Sequence, residues 1–185
     1  MKKSTKESSI EDIKDIQIKV AINYSIELYK IDWGEGEWLK EYDFVYFIYK
    51  DMECHIMRNR FGTWCGYVML SLDHPWTKIK NPTFNLESGV HGGITYARED
   101  LGRYIVGFDC AHGGDLVPAT QSILKDSREK LKKFMTKETS EVFSKVTEGF
   151  EESFFSLKDT YKNIFYAIEQ CQLLANEAIE ASQHQ

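Results

Sequence analysis

The sequence predicts an α+β fold: an antiparallel sheet of about five strands followed by two or three C-terminal helices, with a helix ahead of the sheet. Two observations carry this. Aromatic and β-branched runs crowd the stretch from Phe44 to Leu72 and recur at Ile94 to Ala97 and Tyr104 to Phe108, whereas after Pro118 the apolar residues recur at helical spacing. Strands first and helices afterwards point to segregated layers and away from alternating βαβ units.

Residues 1 to 8 are polar, and Ser8-x-x-Glu11 reads as a capping box before Ile10, Ile13, Ile16 and Val20, which predicts an N-terminal helix. Ile16, Ile18, Val20 and Ile22 also alternate as a strand does, so periodicity leaves the boundary near Gln17 open. Asp32-Trp33-Gly34-Glu35-Gly36 marks a loop. The runs DFVYFIYK, ECHIMR and TWCGYVMLSL, parted by Lys50-Asp51 and by Asn59 to Gly62, predict a meander. The two shorter strands are bounded by Gly92-Gly93, by Asp100 to Gly102 and by the glycines after His112. Phe143, Val146, Phe150, Phe154 and Leu157 form one helical stripe, and Tyr161, Ile164, Phe165, Ile168 and Cys171 another. No repeat, low-complexity tract or linker divides the chain, so residues 1–185 read as one domain, with residues 119–159 as a helical insertion whose stripe needs the final helix or a second copy as partner.

The chain has 185 residues, enough to bury roughly 70% of the surface its unfolded form exposes. Its 42% hydrophobic and 14% aromatic content suits a packed core. A formal net charge of −6 argues against a sequence-independent grip on nucleic acid, which needs Lys and Arg to neutralise phosphates. Cys54, Cys65, Cys110 and Cys171 follow no C-x-x-C pattern, so reduced thiols and a cytoplasmic location are expected. No apolar h-region opens the chain and no apolar run approaches ~20 residues, which predicts neither secretion nor membrane insertion.

Chemistry concentrates in Val90-His91-Gly92-Gly93-Ile94-Thr95-Tyr96 and in Gly107-Phe108-Asp109-Cys110-Ala111-His112-Gly113-Gly114-Asp115. Each places polar side chains at a predicted strand end, where glycines let the backbone approach a ligand. If the two strands pair, His91, Asp109, His112 and Asp115 converge, and two imidazoles with two carboxylates suffice for a divalent metal or for acid and base roles. The plainer reading is turn chemistry: Gly-Gly pairs and Asp beside Gly commonly close turns, and the spacing matches no zinc motif. Arg58 and Arg60 flank a turn, and Arg58 is placed to hold a carboxylate or phosphate. His74-Pro75-Trp76 ends a strand. Cys110 beside His112 invites a Cys/His nucleophile reading, against which a buried structural thiol is the commoner outcome.

The blocks Cys54-His55-Ile56-Met57-Arg58-Asn59, Gly66-Tyr67-Val68 with His74-Pro75, VHGGITYA from Val90 and GFDCAHGGDLVP from Gly107, with Tyr161 to Glu177, resemble a family of small proteins encoded in phage and prophage genomes. The resemblance implies a common site around Arg58, His74, His91, Asp109, His112 and Asp115, with Gly92, Gly93 and Thr95 in the same block, and it brings no activity with it. The family passes quickly from the GDLVP block to the last helix, so residues 119–159 depart from it.

Three functions compete at this stage. Phage accessory genes often act against host immunity, and a glycine-rich pocket with Arg and His suits a phosphate-bearing ligand, so the first is sequestration of a nucleotide immune signal. The second is a metal-dependent hydrolase of a phosphoester or related bond, with His91, Asp109, His112 and Asp115 as ligands or acid and base. The third is a protein-binding inhibitor acting through the inserted helices, and a residual apolar surface there would also favour a homo-oligomer.

Overall fold

The structure, a computed structural model, describes residues 9–24, 30, 32–120 and 159–183. Six strands form one sheet: β1 (Ile16–Ile22), β2 (Phe44–Tyr49), β3 (Met52–Arg58), β4 (Trp64–Leu70), β5 (Tyr96–Asp100) and β6 (Arg103–Asp109). Their order across the sheet is β1-β2-β3-β4-β6-β5, with every neighbouring pair antiparallel. A helical turn, α1 (Pro82–Asn85), lies between β4 and β5, and a long helix, α2 (Ile164–Gln183), follows the sheet.

The α+β expectation holds, with two differences of detail. The sheet gains β1 as a sixth strand, and the N-terminal helix reduces to a single 3-10 turn, Ile10–Asp12, capped by Ser9 with Asp12 reaching back. Ile13 turns extended at the end of it, which stops helical continuation, Asp15 follows at a positive φ of 65°, and Ile16 to Ile22 then pair along β2. A bulge at Lys19 shifts the alternation, so Ile16, Ile18 and Ala21 face the core while Val20 and Ile22 stay partly exposed. Most of the predicted insertion, residues 121–158 with its stripe from Phe143 to Leu157, lies outside the described residues. Its flanks meet: Thr160 N–H donates to Gly114 O at 2.9 Å and Leu116 N–H to Thr160 O at 3.2 Å.

Strand parity sets the core. Val45, Phe47, Tyr49, Cys54, Ile56, Trp64, Val68, Val106 and Phe108 share one face, against which Ile168, Cys171, Leu174 and Ala175 of α2 pack. Gly66 is required there, since a Cβ would fall 2.3 Å from the Phe108 ring. Lys50-Asp51 and Leu101-Gly102 close hairpins with both residues at positive φ, the twist-matched geometry of two-residue turns. Asn163 caps α2 by accepting from Tyr166 N–H at 3.0 Å. The helix is fixed farther along by His74, whose Nδ1 accepts from Trp76 N–H and whose Nε2 therefore donates to Ala178 O at 3.0 Å.

The opposite sheet face carries a row of rings. His55 lies between Phe44 and Tyr67, 5.7 and 4.8 Å between centroids, and Tyr67 meets Tyr96 at 5.3 Å. Burial pushes His55 down to about 4. Between roughly pH 6.5 and 4 the unfolded chain therefore holds a proton that the folded chain excludes, so stability is lost as pH falls through that window. Thermal unfolding from pH 7 to 4.5 is expected to show a falling Tm, with His55→Phe flattening the slope; an unchanged slope in the variant would rule out His55 as the source.

Candidate metal centre

The β5–β6 hairpin explains why two loops separated in sequence meet. In an antiparallel pair the start of one strand lies beside the end of the other, and Tyr96 pairs with Gly107. The loop entering β5, which carries His91, and the loop leaving β6, which carries His112 and Asp115, consequently share one end of the sheet. Cys110 N–H donates to Trp64 O and holds the second loop onto β4.

Asp115 is the hub. Its carboxylate is buried, at 7% exposure, and Oδ2 lies 2.7 Å from His91 Nε2 and accepts from His112 N–H at 2.9 Å. His112 Nδ1 is 3.8 Å from the same oxygen, buried, and without a hydrogen-bond partner among the described residues. The imidazoles meet edge to face, 5.2 Å apart. One ligand atom from each of His91, His112 and Asp115 falls within 4.8 Å of the others, close enough that the three could hold a metal ion between them.

α2 sets the orientation of His91. Its ring Nδ1 is 2.9 Å from the Tyr166 hydroxyl, and its backbone N–H donates to Gln170 Oε1 at 2.9 Å. One turn pair farther along, Glu177 accepts from Gly89 N–H at 2.8 Å. Lys162 Nζ sits 3.5 Å from Asp115 Oδ1 and 5.2 Å above the Tyr166 ring. Burial, followed by the nearby Cys110 and the Asp115 carboxylate, pushes the Tyr166 hydroxyl up, so it remains a protonated phenol.

Gly92 serves His112 in two ways: its φ is +67°, and a Cβ would fall 2.0 Å from the imidazole. Gly93, at φ +81°, closes the turn with its N–H donating to Val90 O, and Thr95 is exposed with its N–H on Gly107 O. Asp109 lies at the margin: Oδ1 accepts from Ala111 N–H and stands 4.0 Å from His112 Nδ1. Cys110 is buried, and burial with the nearby Asp115 carboxylate pushes its thiol well above the ordinary range, which removes the thiolate a nucleophile needs.

The other two expected site residues are employed elsewhere. His74 uses both ring nitrogens to join the turn at Pro75 to α2. Arg58 is buried at 5% exposure; it donates to Gly62 O at 2.7 Å and to Glu41, lies 3.3 Å from Asp43, and stacks 4.2 Å above Trp64. Glu41 also accepts from Tyr161 and from Ile164 N–H, and Asp43 pairs with Lys30 at 2.8 Å. The guanidinium fork is engaged by protein carboxylates, and the cation beside the histidines is Lys162.

Cavities of about 440 and 380 Å³ lie elsewhere, the first by Glu37, Tyr42 and Phe165, the second beside Arg58 with Trp33 and Arg60. The His/Asp cluster instead faces out from half-exposed loops. No helix among the described residues is long and apolar enough to cross a membrane. Compared with protein-family models, curated proteins and solved structures, the chain matches none.

Proposed function

We propose that His91, His112 and Asp115 hold a divalent metal and that the protein is a metal-dependent hydrolase of a phosphoester or related bond. The observation that carries this is the buried, unpartnered Nδ1 of His112, turned toward Asp115 in a cluster whose ligand atoms already lie within 4.8 Å of one another. A polar atom left so is unfavourable unless a partner completes it. Two imidazoles and a carboxylate suit zinc and neighbouring transition metals, and three protein ligands leave coordination positions open, as catalytic centres do. A metal there supplies a Lewis acid and a bound water of lowered pKa.

The chain's own groups complement this. Tyr166 holds the His91 ring through Nδ1, the outer-shell bond that ligating histidines usually make. Without metal, His91 donates from Nε2 to Asp115 and accepts from Tyr166. With a metal held by His91 through Nε2, the ring would carry its proton on Nδ1 and donate to the Tyr166 oxygen, which would leave the Tyr166 O–H free for another acceptor.

Elemental analysis of protein purified without chelator, with hydrolysis of nitrophenyl phosphate mono- and diesters measured with and without added zinc or manganese, tests the proposal. About one metal per chain and turnover abolished by chelation are expected. Metal without turnover of either ester would refute the hydrolase and favour ligand sequestration at the same centre; no metal and no turnover would remove the centre itself.

A further inference from the structure

We infer that the substrate taken by this centre carries an anionic phosphoryl group and that Lys162 binds it, an inference resting on the metal-centre reading above. Lys162 stands in the extended stretch before α2, where alternate side chains point opposite ways: Tyr161 to Glu41, and Lys162 to Asp115. It is no freely solvated surface charge. Its side chain is 20% exposed, its ammonium lies above the Tyr166 ring, and its head is directed to Oδ1, the Asp115 oxygen that His91 and the His112 N–H leave open.

A cation in that position works against metal binding. It draws charge from the ligand carboxylate and repels a divalent ion held on Oδ2. A centre with a purely structural metal has no use for it. An anionic substrate reverses the balance: with neutral imidazoles, the metal and Lys162 together exceed the charge of Asp115, and a phosphoryl oxygen on the metal places its other oxygens within reach of the ammonium. Lysine recognises phosphate in this way as a compact point charge. Among the described residues the loops leave room for the group, since a Cβ built at Gly93, Gly113 or Gly114 would meet nothing within 4 Å.

Calorimetry on the full chain separates the two proposals, using zinc alone and then inorganic phosphate or acetate on the zinc-loaded protein. Lys162→Met is expected to bind zinc at least as tightly as the wild type and phosphate about tenfold or more weakly, as loss of a charge-assisted hydrogen bond implies. Lys162→Arg is expected to keep most of the phosphate affinity, and a circular dichroism spectrum matching wild type excludes misfolding as the cause. If zinc fails to bind the wild type, the metal centre falls. If zinc binds but phosphate affinity is the same in Lys162→Met, or acetate binds as tightly as phosphate, this inference falls while the centre stands.

Discussion

Replacing Arg58 by methionine is expected to lower the free energy of unfolding by about 3–5 kcal/mol, because removing one partner leaves buried charges uncompensated. The guanidinium pairs with Glu41 and shares Asp43 with Lys30, all within a region where Asp43 is 4% exposed. Glu41 also receives the first backbone N–H of α2 at 2.9 Å, a favourable place for a carboxylate against the helix dipole. Repulsion between the abandoned acids would therefore loosen the helix that orients His91. Urea titrations with the slope checked for two-state behaviour measure the loss, and neutralising the acids in Arg58→Met/Glu41→Gln/Asp43→Asn should recover part of it. A loss below about 1 kcal/mol, the value of an exposed pair, would show that the cluster is not effectively buried.

Asp115→Asn is expected to weaken metal binding by at least about 100-fold, more than the loss of an outer-shell partner produces. The substitution keeps the shape of the side chain and removes the charge that serves His91, the His112 N–H and Lys162 together. Gly92→Ala should reach the same result by another route, since its methyl group would occupy the place of the His112 ring. Asp109→Asn, at the margin of the cluster, should retain most of the affinity. Equal losses at Asp109 and Asp115 would mean that the ligand set has been misassigned. Metal affinity by competition with a chromophoric chelator, alongside thermal unfolding, separates lost ligation from lost fold.

The meander was legible because aromatic and β-branched residues crowd β2, β3 and β4 and their turns fall at Lys50-Asp51 and around Asn59 to Gly62. β1 was harder: Ile10, Ile13 and Ile16 fit a helix while Ile16, Ile18 and Ile22 fit a strand, and only pairing with β2 decides. His91, His112 and Asp115 were accessible because glycines and strand ends flag them and a hairpin brings them together. Lys162, Tyr166 and Gln170 were hidden for a general reason. Tyr166 and Gln170 lie four residues apart on a helix whose apolar stripe dominates the pattern, Lys162 stands just ahead of it, and nothing local indicates which loop that part of the chain will meet. Arg58 misled in the opposite sense: a turn-flanking arginine looks like a ligand-binding group until Glu41 and Asp43, remote in sequence, are seen to enclose it.

The contacts between α2 and the His91 loop span 75 residues at Tyr166, 79 at Gln170 and 88 at Glu177. The sheet residues precede α2 in the chain, so during synthesis the His91 loop is made before Tyr166, Gln170 and Glu177 are present to hold it. Until then His91 has its contact with Asp115 but lacks the two partners on α2 that orient its ring and its backbone. Long-range closures of this kind also form late in refolding, since the loop entropy must be overcome before the contacts repay it. The geometry of the His91 loop is thereby tied to the docking of α2.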